Sequence, residues 1–247
     1  MKTLKEGAAK LRIELTGNQL KLFEVYYREL VAWNRRINLT AITDYEEVQV
    51  KHFLDSLTLL LVIGTYGERP RVIDIGTGGG LPGIPLKIVQ PGIRLTLLEA
   101  TEKKVRFLYN LVDKLGLQGV TIVTGRAEVI AHDEQYREKY DLAVSRAVAA
   151  LPVLVELVLP FCAPGGFFIA QKAGDIEKEI NQSMTAIEIV GGRLREVKRA
   201  YPDDAGDERK LVIIEKTGQA PEKYPRRPGI PVKRPMLSRG DNEENID

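Results

Sequence analysis

The segment RVIDIGTGGGLPGIPLKI, residues 71–88, constrains the fold of this chain more than any other. A short apolar run ends on Asp74. Gly76, Gly78, Gly79, Gly80 and Gly83 follow, with Pro82 and Pro85 flanking the last of them. RVIDI reads as a strand, and the glycines as a turn leading into a helix over residues 83–90. Glycine adopts positive φ without a Cβ clash and lets a backbone come close to a ligand. A plain tight turn needs fewer of them. In an open α/β sheet such a turn lies at the carboxyl end of a strand, where ligands bind.

The rest of the chain agrees with that class. RLTLLEA, VTIVTG and YDLAVSRAV read as further strands, and APGGFFIAQKA as a strand opening after a Pro-Gly-Gly turn. Helices are expected over residues 102–116, in LPVLVELVLPFC and in DIEKEINQSMTAIEIVGG. Repeated βα units imply a parallel sheet with helices on both faces. RLREVKRAYP and ERKLVIIEK are joined by an acidic loop with no helix, which predicts an antiparallel pair at one edge. Residues 1–68 show helical spacing only. One helix, capped at Thr16 or Asn18, turns Leu20, Phe23, Tyr27, Leu30 and Val31 inward. A second runs from an Asp44 cap, with Glu47 three residues on, through Val48, Phe53, Leu57, Leu60 and Leu61. The expected organisation is a helical lobe over 1–68, a sheet domain over 69–217, and a basic, proline-rich tail over 218–247 ending in the acidic DNEENID.

Composition narrows the function. The chain has 247 residues and a formal net charge of +2. The absence of an apolar run of ~18 residues argues against a membrane span, and MKTLKEGAAKLRIEL lacks the apolar core of a secretory signal. The lone Cys162 makes no internal disulfide, which suits a reducing cytoplasm, and its apolar setting predicts a buried, inert residue. With His52 and His132 as the only histidines, a histidine-rich metal site is not expected.

Two ligands compete for the glycine turn. Gly78, Gly80 and Gly83 match G-x-G-x-x-G, and Glu99 lies about twenty residues on at a strand end, where it can hold ribose hydroxyls. NAD fits that pattern. S-adenosylmethionine shares the adenosine half and has no pyrophosphate. Asp74, just before the glycines, suits loop amides or the cationic amino-acid end of the methyl donor, and sits badly beside a pyrophosphate. Pro82 and Pro85 also leave fewer amides at the helix start to receive an anion. These residues favour the methyl donor and a class I methyltransferase fold.

A closer match is carried by WNRRINLTAI, KHFLDSL, IDIGTGGGLPGIPLKI, LLEATEKKVRFL, GRAE, VSRAVA, ERKLVIIEK and KYPRRPGIPVKRP, in that order over residues 18–235. In these the chain resembles the RsmG (glucose-inhibited division protein B) family of bacterial small-subunit ribosomal RNA methyltransferases. The resemblance implies methylation of guanine N7 in 16S ribosomal RNA near the decoding site, with S-adenosyl-L-methionine consumed and S-adenosyl-L-homocysteine released. It implies donor contacts at Gly76 and Leu81, beside the Asp74 and Gly78 already read as donor-binding from the loop itself, ribose binding by Glu99, adenine contacts from the Ala127 backbone and the Glu128 side chain, and a donor- and RNA-facing Arg146. The GGG at residues 78–80 varies the loop relative to some relatives without removing a contact.

Guanine N7 already presents a lone pair, so transfer needs alignment rather than a general base or a metal. The guanine is expected unstacked or flipped out. Arg146 and Lys172 are the candidates for base or phosphate contact; each has a structural alternative, an ion pair in the sheet for Arg146 and plain solvation for Lys172. Arg35, Arg36 and Asn38 either cap and solvate a helix end or meet RNA, and Trp33 belongs to the core or stacks on a base. Lys51 and His52 are placed at the substrate side, with a helix-internal His52–Asp55 pair as the alternative. Glu128 has a helix-capping alternative. In the tail, Arg226, Arg227, Lys233 and Arg234 suit phosphates, prolines keeping the segment extended; packing on the sheet is the alternative. A non-catalytic RNA-binding or assembly protein and a small-molecule methyltransferase are the competing functions. The expected partner is 16S ribosomal RNA or the small ribosomal subunit, met by a cytoplasmic monomer with no membrane association.

Overall fold

The computed structural model describes residues 1–63, 69–146, 149–201 and 209–238. Its contacts divide the chain into two compact units, Met1–Gly125 and Arg126–Asp247.

The first unit opens with α1 (Lys2–Lys10) and α2 (Gly17–Asn34). Thr16 is the cap of α2. Its hydroxyl accepts the Gln19 N–H, and the Gln19 side chain accepts the Thr16 N–H, a reciprocal capping box. The inward stripe of α2 is Phe23, Tyr26 and Leu30; Leu20, Tyr27 and Val31 are only half-buried. Tyr26 takes the inward place because its hydroxyl finds the Gly79 carbonyl at 2.5 Å, which permits full burial of a tyrosine.

The helix expected after Asp44 does start there, with Asp44 Oδ1 accepting the N–H groups of Glu46 and Glu47 at 3.0 and 2.9 Å. It does not run on unbroken. It divides into α3 (Tyr45–Val48), a π-helical stretch Gln49–Leu54, α4 (Asp55–Leu57) and α5 (Leu60–Ile63). Ser56 donates to the His52 carbonyl and Thr58 to the Asp55 carbonyl, both at 2.6 Å, and such side-chain bonds to helix carbonyls bend helices. Val48, Phe53 and Leu57 stay buried through the break, so the apolar period did not register it; Leu60 and Leu61 are half-buried.

The unit closes with β1 (Arg71–Ile75), α6 (Gly83–Val89), β2 (Arg94–Glu99), α7 (Glu102–Lys114) and β3 (Val120–Thr124). β2 pairs in parallel with both β1 and β3.

The second unit holds α8 (Ala127–Ile130), β4 (Tyr140–Arg146), α9 (Leu151–Val158), a 3₁₀ turn at Leu159–Phe161, β5 (Cys162–Lys172), α10 (Glu177–Ile189), β6 (Gly192–Arg199), β7 (Lys210–Lys216) and α11 (Ile230–Lys233). β4 and β5 are parallel, while β7 runs antiparallel to β5 and β6, giving the expected edge pair. The Pro-Gly-Gly segment is not a turn before β5 but lies inside it. Tyr140 pairs with Cys162 and Leu142 with Phe167, so residues 163–166 form a bulge. Strand order is β3-β2-β1 in the first unit and β4-β5-β7-β6 in the second, seven strands in all among the described residues. Cys162 is fully buried and burial pushes its thiol up to about 12, as expected of an inert core residue. Among the described residues no helix is long and apolar enough to cross a membrane.

The tail corrects the expectation of an extended arm. Ala220, Tyr224, Pro225 and Pro231 are buried. The Arg137 guanidinium donates to the carbonyls of Ala220, Pro221 and Tyr224 at 2.8–3.2 Å, and His132 Nε2 lies 2.8 Å from the Pro225 carbonyl oxygen. The Arg226 guanidinium grips both oxygens of Glu156 at 2.9 and 2.7 Å, and the Arg226 N–H adds a third bond at 2.8 Å. Glu156 is fully buried in the otherwise apolar α9. A buried carboxylate requires a cation, and the tail delivers it. The acidic loop at 202–208, Arg239 and the acidic 241–247 segment lie outside the described residues.

Candidate active site

The glycine loop leaves β1 just past Asp74, which is fully buried. Asp74 Oδ2 accepts the Thr77 hydroxyl at 2.7 Å and the Gly83 N–H at 2.8 Å, so one carboxylate oxygen spans the loop from its start to the first residue of α6. Of the two roles the sequence offered for Asp74, receiving the loop's own donors is the one this geometry performs. The consequence is electrostatic. The first amide of α6, which would face a pyrophosphate in a dinucleotide site, is satisfied by a protein carboxylate.

The glycines divide by purpose. A Cβ at Gly83 would lie 2.9 Å from both Asp74 Oδ2 and Leu97 Cδ2, and one at Gly80 (φ +88°) would lie 2.6 Å from Ile84 Cδ1. Gly83 serves close helix–strand packing, and Gly80 lets the loop pass close to Ile84 of α6 and the Tyr26 hydroxyl of α2. Gly76 and Gly78 also have positive φ, +69° and +57°, but at Gly78 the nearest atom to a Cβ would be 3.9 Å away. The backbone there is open. Leu81, next along, is nearly buried.

Glu99 ends β2 and is 6% exposed. Its Oε2 accepts the Gly78 N–H at 3.0 Å and its Oε1 the Thr101 N–H at 2.8 Å. An ionised carboxylate offers about four acceptor positions. Two backbone donors therefore fix the group and leave acceptor capacity for a pair of hydroxyls. An open glycine backbone, an oriented carboxylate and a helix start closed to anions suit an adenosyl group without a pyrophosphate.

In the second unit, Ala127 and Glu128 begin α8. Glu128 neither caps that helix nor reaches solvent: it is 8% exposed, and its Oε1 accepts the Gly229 N–H at 3.1 Å. Arg146 ends β4 half-buried, in register with Gln171 of β5, so Arg146 and Lys172 finish neighbouring strands at their carboxyl ends. Lys172 is not a solvated lysine. Its ammonium donates to Glu179 Oε1 at 2.7 Å and to the Ala149 carbonyl at 3.2 Å, and the same Glu179 oxygen accepts the Leu151 N–H at 2.7 Å. Glu179 thus ties the end of β5 to the start of α9, a role with no motif to announce it.

The remaining RNA candidates differ in how free they are. Arg35, Arg36 and Asn38 are exposed just past α2, where Asn34 Oδ1 closes the turn by accepting the Leu39 and Thr40 N–H groups. Trp33 is half-buried, edge-on to Phe107 at 5.7 Å. Lys51 is exposed and paired with Glu47. His52 is 8% exposed, its Nε2 2.7 Å from the Thr40 hydroxyl. Arg227, Lys233 and Arg234 are exposed, whereas Arg226 is committed to Glu156, whose hydrogen bonds raise its pKa further. Among the described residues no group of three or more His, Cys, Asp or Glu is placed to hold a metal.

The sequence model of the GidB family, described as rRNA small subunit methyltransferase G, matches residues 19–211. The chain belongs to this family. It is 52% identical over 237 residues to the ribosomal RNA small subunit methyltransferase G of Dehalococcoides mccartyi strain CBDB1, covering 96% of this chain and 100% of that one. It is 47% identical over 234 residues to the protein of the same name from Pelotomaculum thermopropionicum, covering 95% and 98%. Among solved structures it is similar to a mutant form of MtNAS in complex with S-adenosylmethionine, with a TM-score of 0.53 and 18% identity over 87% of this chain and 77% of that one. The fold is that of class I methyltransferases, as the resemblance implied.

Proposed function

We propose that this chain transfers a methyl group from S-adenosyl-L-methionine to N7 of a guanine in 16S ribosomal RNA, near the decoding site. The observation that carries the donor assignment is the glycine loop whose helix start is closed by Asp74 while Glu99 stands fixed beside open backbone. The donor supplies an electrophilic methyl on a sulfonium sulfur. Gly76, Gly78 and Leu81 line its methionine and ribose, and Glu99 accepts the ribose hydroxyls. The Ala127 backbone meets the adenine, with Glu128 bracing that turn through Gly229. Arg146 meets the target base or its phosphate, and Lys172, pinned by Glu179, supports it.

Guanine N7 carries no proton, so the residues need not remove one. Their work is to hold nucleophile, methyl and sulfur in line and to keep water out. In A-form RNA N7 lies in a deep, narrow groove, so the guanine enters unstacked. The substrate-side contacts come from the helical lobe, residues 1–68, with Arg35, Arg36, Asn38, Lys51 and His52, and from the tail, residues 218–247, with Arg227, Lys233 and Arg234; the sheet domain between them, residues 69–217, carries the donor. The reading places the chain in the cytoplasm, acting as a monomer on the small ribosomal subunit.

The test is transfer of labelled methyl to small subunits from a strain lacking this modification, followed by nucleoside mass spectrometry. 7-Methylguanosine is expected, and it is expected to be absent with Glu99→Ala. A different methylated nucleoside would overturn the N7 assignment; labelling of no RNA in any assembly state would overturn the substrate.

A further inference from the structure

We infer that the solvent face of α7, together with the end of α2, is a docking ridge for single-stranded RNA, with Lys103 and Arg106 meeting phosphates and Tyr109 stacking on a base. The register of the two helices is set by two contacts. Glu29 accepts from the Asn110 side chain at 2.7 Å, and Trp33 meets Phe107 edge-on at 5.7 Å. One turn forward along α2 corresponds to one turn backward along α7, so the helices run antiparallel. Arg35 and Arg36, which continue α2, therefore extend toward the amino end of α7, where Lys103 lies.

Lys103, Arg106 and Tyr109 succeed one another at i, i+3 spacing and share one face. Lys103 and Arg106 are exposed, and Tyr109 is 58% exposed, a large aromatic left in water on a helix whose apolar stripe is already spent on Val105, Phe107, Leu108 and Leu111. Among the described residues, none of the side-chain cations of Arg35, Arg36, Lys103 and Arg106 forms a hydrogen bond or ion pair. That contrasts with Lys51, Lys172 and Arg226, each held by a carboxylate. Glu102 and Asp113 bracket the face at either end, so the positive stretch is short and bounded. Free cations beside an exposed ring are the pattern that tracks a nucleic-acid backbone while stacking a base. The ridge also begins at the donor site: α7 follows Thr101, whose N–H holds Glu99. A strand lying along it reaches the glycine loop without leaving this unit.

The inference rests on the RNA substrate proposed above, and the test separates the two. The full-length protein, Lys103→Glu/Arg106→Glu, Tyr109→Ala, Tyr109→Phe and a matched control, Lys5→Glu/Lys10→Glu on α1, are titrated against a fluorescein-labelled single-stranded RNA oligonucleotide over a salt series, and separately against S-adenosylmethionine. The charge reversals on α7 are expected to weaken RNA binding more than tenfold and to flatten the log–log salt slope by about 1.4, two phosphates at ~0.7 each. Tyr109→Ala is expected to cost about tenfold and Tyr109→Phe little, since the ring is what stacks. Donor binding stays at the wild-type value throughout, which also shows that the variants fold. Unchanged RNA affinity and slope in the α7 variants, or an equal loss in the α1 control, would overturn the ridge. If the wild type binds RNA but not S-adenosylmethionine, the donor assignment fails while the ridge stands; if the wild type binds no RNA, the ridge fails with the substrate.

Discussion

The glycine loop and the C-terminal tail are both short of regular structure, rich in glycine or proline, and fastened by buried carboxylates, yet they are fastened at very different ranges. In the loop, Asp74 is satisfied by residues three and nine positions away, and Glu99 by one 21 away. In the tail, Glu156 is satisfied from 70 positions away, Glu128 from 101, and the Tyr224 carbonyl is held by Arg137 from 87. The loop is a local device whose residues announce one another. The tail is a closing strap whose partners lie far back in the sequence, in α8, in α9 and at Arg137 between α8 and β4. An acid of the loop meets donors that its neighbours in sequence supply; a basic residue of the tail has no such guide, and Arg226 is a structural cation while Arg227 beside it is not.

The largest test of that difference is Arg226→Ala. It strands Glu156 in an apolar helix and is expected to cost about 3–5 kcal/mol by denaturant unfolding, the range for removing one partner of a buried pair. Replacing both partners, Glu156→Leu with Arg226→Leu, is expected to recover most of that loss. A cost below about 1 kcal/mol for Arg226→Ala would mean the tail is peripheral and break the comparison. Next comes Asp74→Ala, which removes two hydrogen bonds to a buried charge; about 3 kcal/mol is expected, accompanied by loss of donor binding in calorimetry. If stability falls but donor affinity does not, the loop is held by something other than Asp74. Glu99→Gln is smaller for stability, about 1 kcal/mol, because one of two backbone donors then faces an amide N–H₂ instead of an acceptor; donor affinity is expected to fall about tenfold.

The smallest effect concerns Tyr45, whose hydroxyl donates to Glu24 at 2.7 Å and whose pKa is pushed up to about 12 by that bond first and by burial second. A phenol with a raised folded-state pKa binds its proton more tightly when folded. Its stabilisation is full below pH 10 and is lost as pH rises toward 12. Tyr45→Phe should flatten that decline in thermal melts over pH 9–12; an unchanged profile would show that the Tyr45–Glu24 bond does not govern it.

Most of the sheet was legible because strand–glycine–helix punctuation is local. β1, β2 and β3 began and ended within a residue or so of the apolar runs that predicted them. The local geometry of the candidate site was legible for the same reason: Asp74 is the last residue but one of β1 and Glu99 the last of β2, each just before a turn. Three features escaped. The π-helical stretch at Gln49–Leu54 escaped because Ser56 and Thr58 bend the backbone while leaving the apolar positions inward. The Pro-Gly-Gly bulge escaped because a bulge and a turn use the same residues. The docked tail escaped because its partner is distant, though Glu156 gave a signal: a single acid inside LPVLVELVLP has to find a cation. Glu179 left no such mark, being one of two acids in the first turn of α10.

The central claim is that the glycine loop holds an adenosyl methyl donor and not a dinucleotide. The most direct measurement is isothermal titration of the wild-type chain with S-adenosylmethionine, S-adenosylhomocysteine and NAD, repeated with Glu99→Ala. The account predicts saturable binding of the first two, none of NAD, and a loss of at least tenfold in the variant. NAD bound as tightly as S-adenosylmethionine, or donor binding untouched by Glu99→Ala, would contradict it.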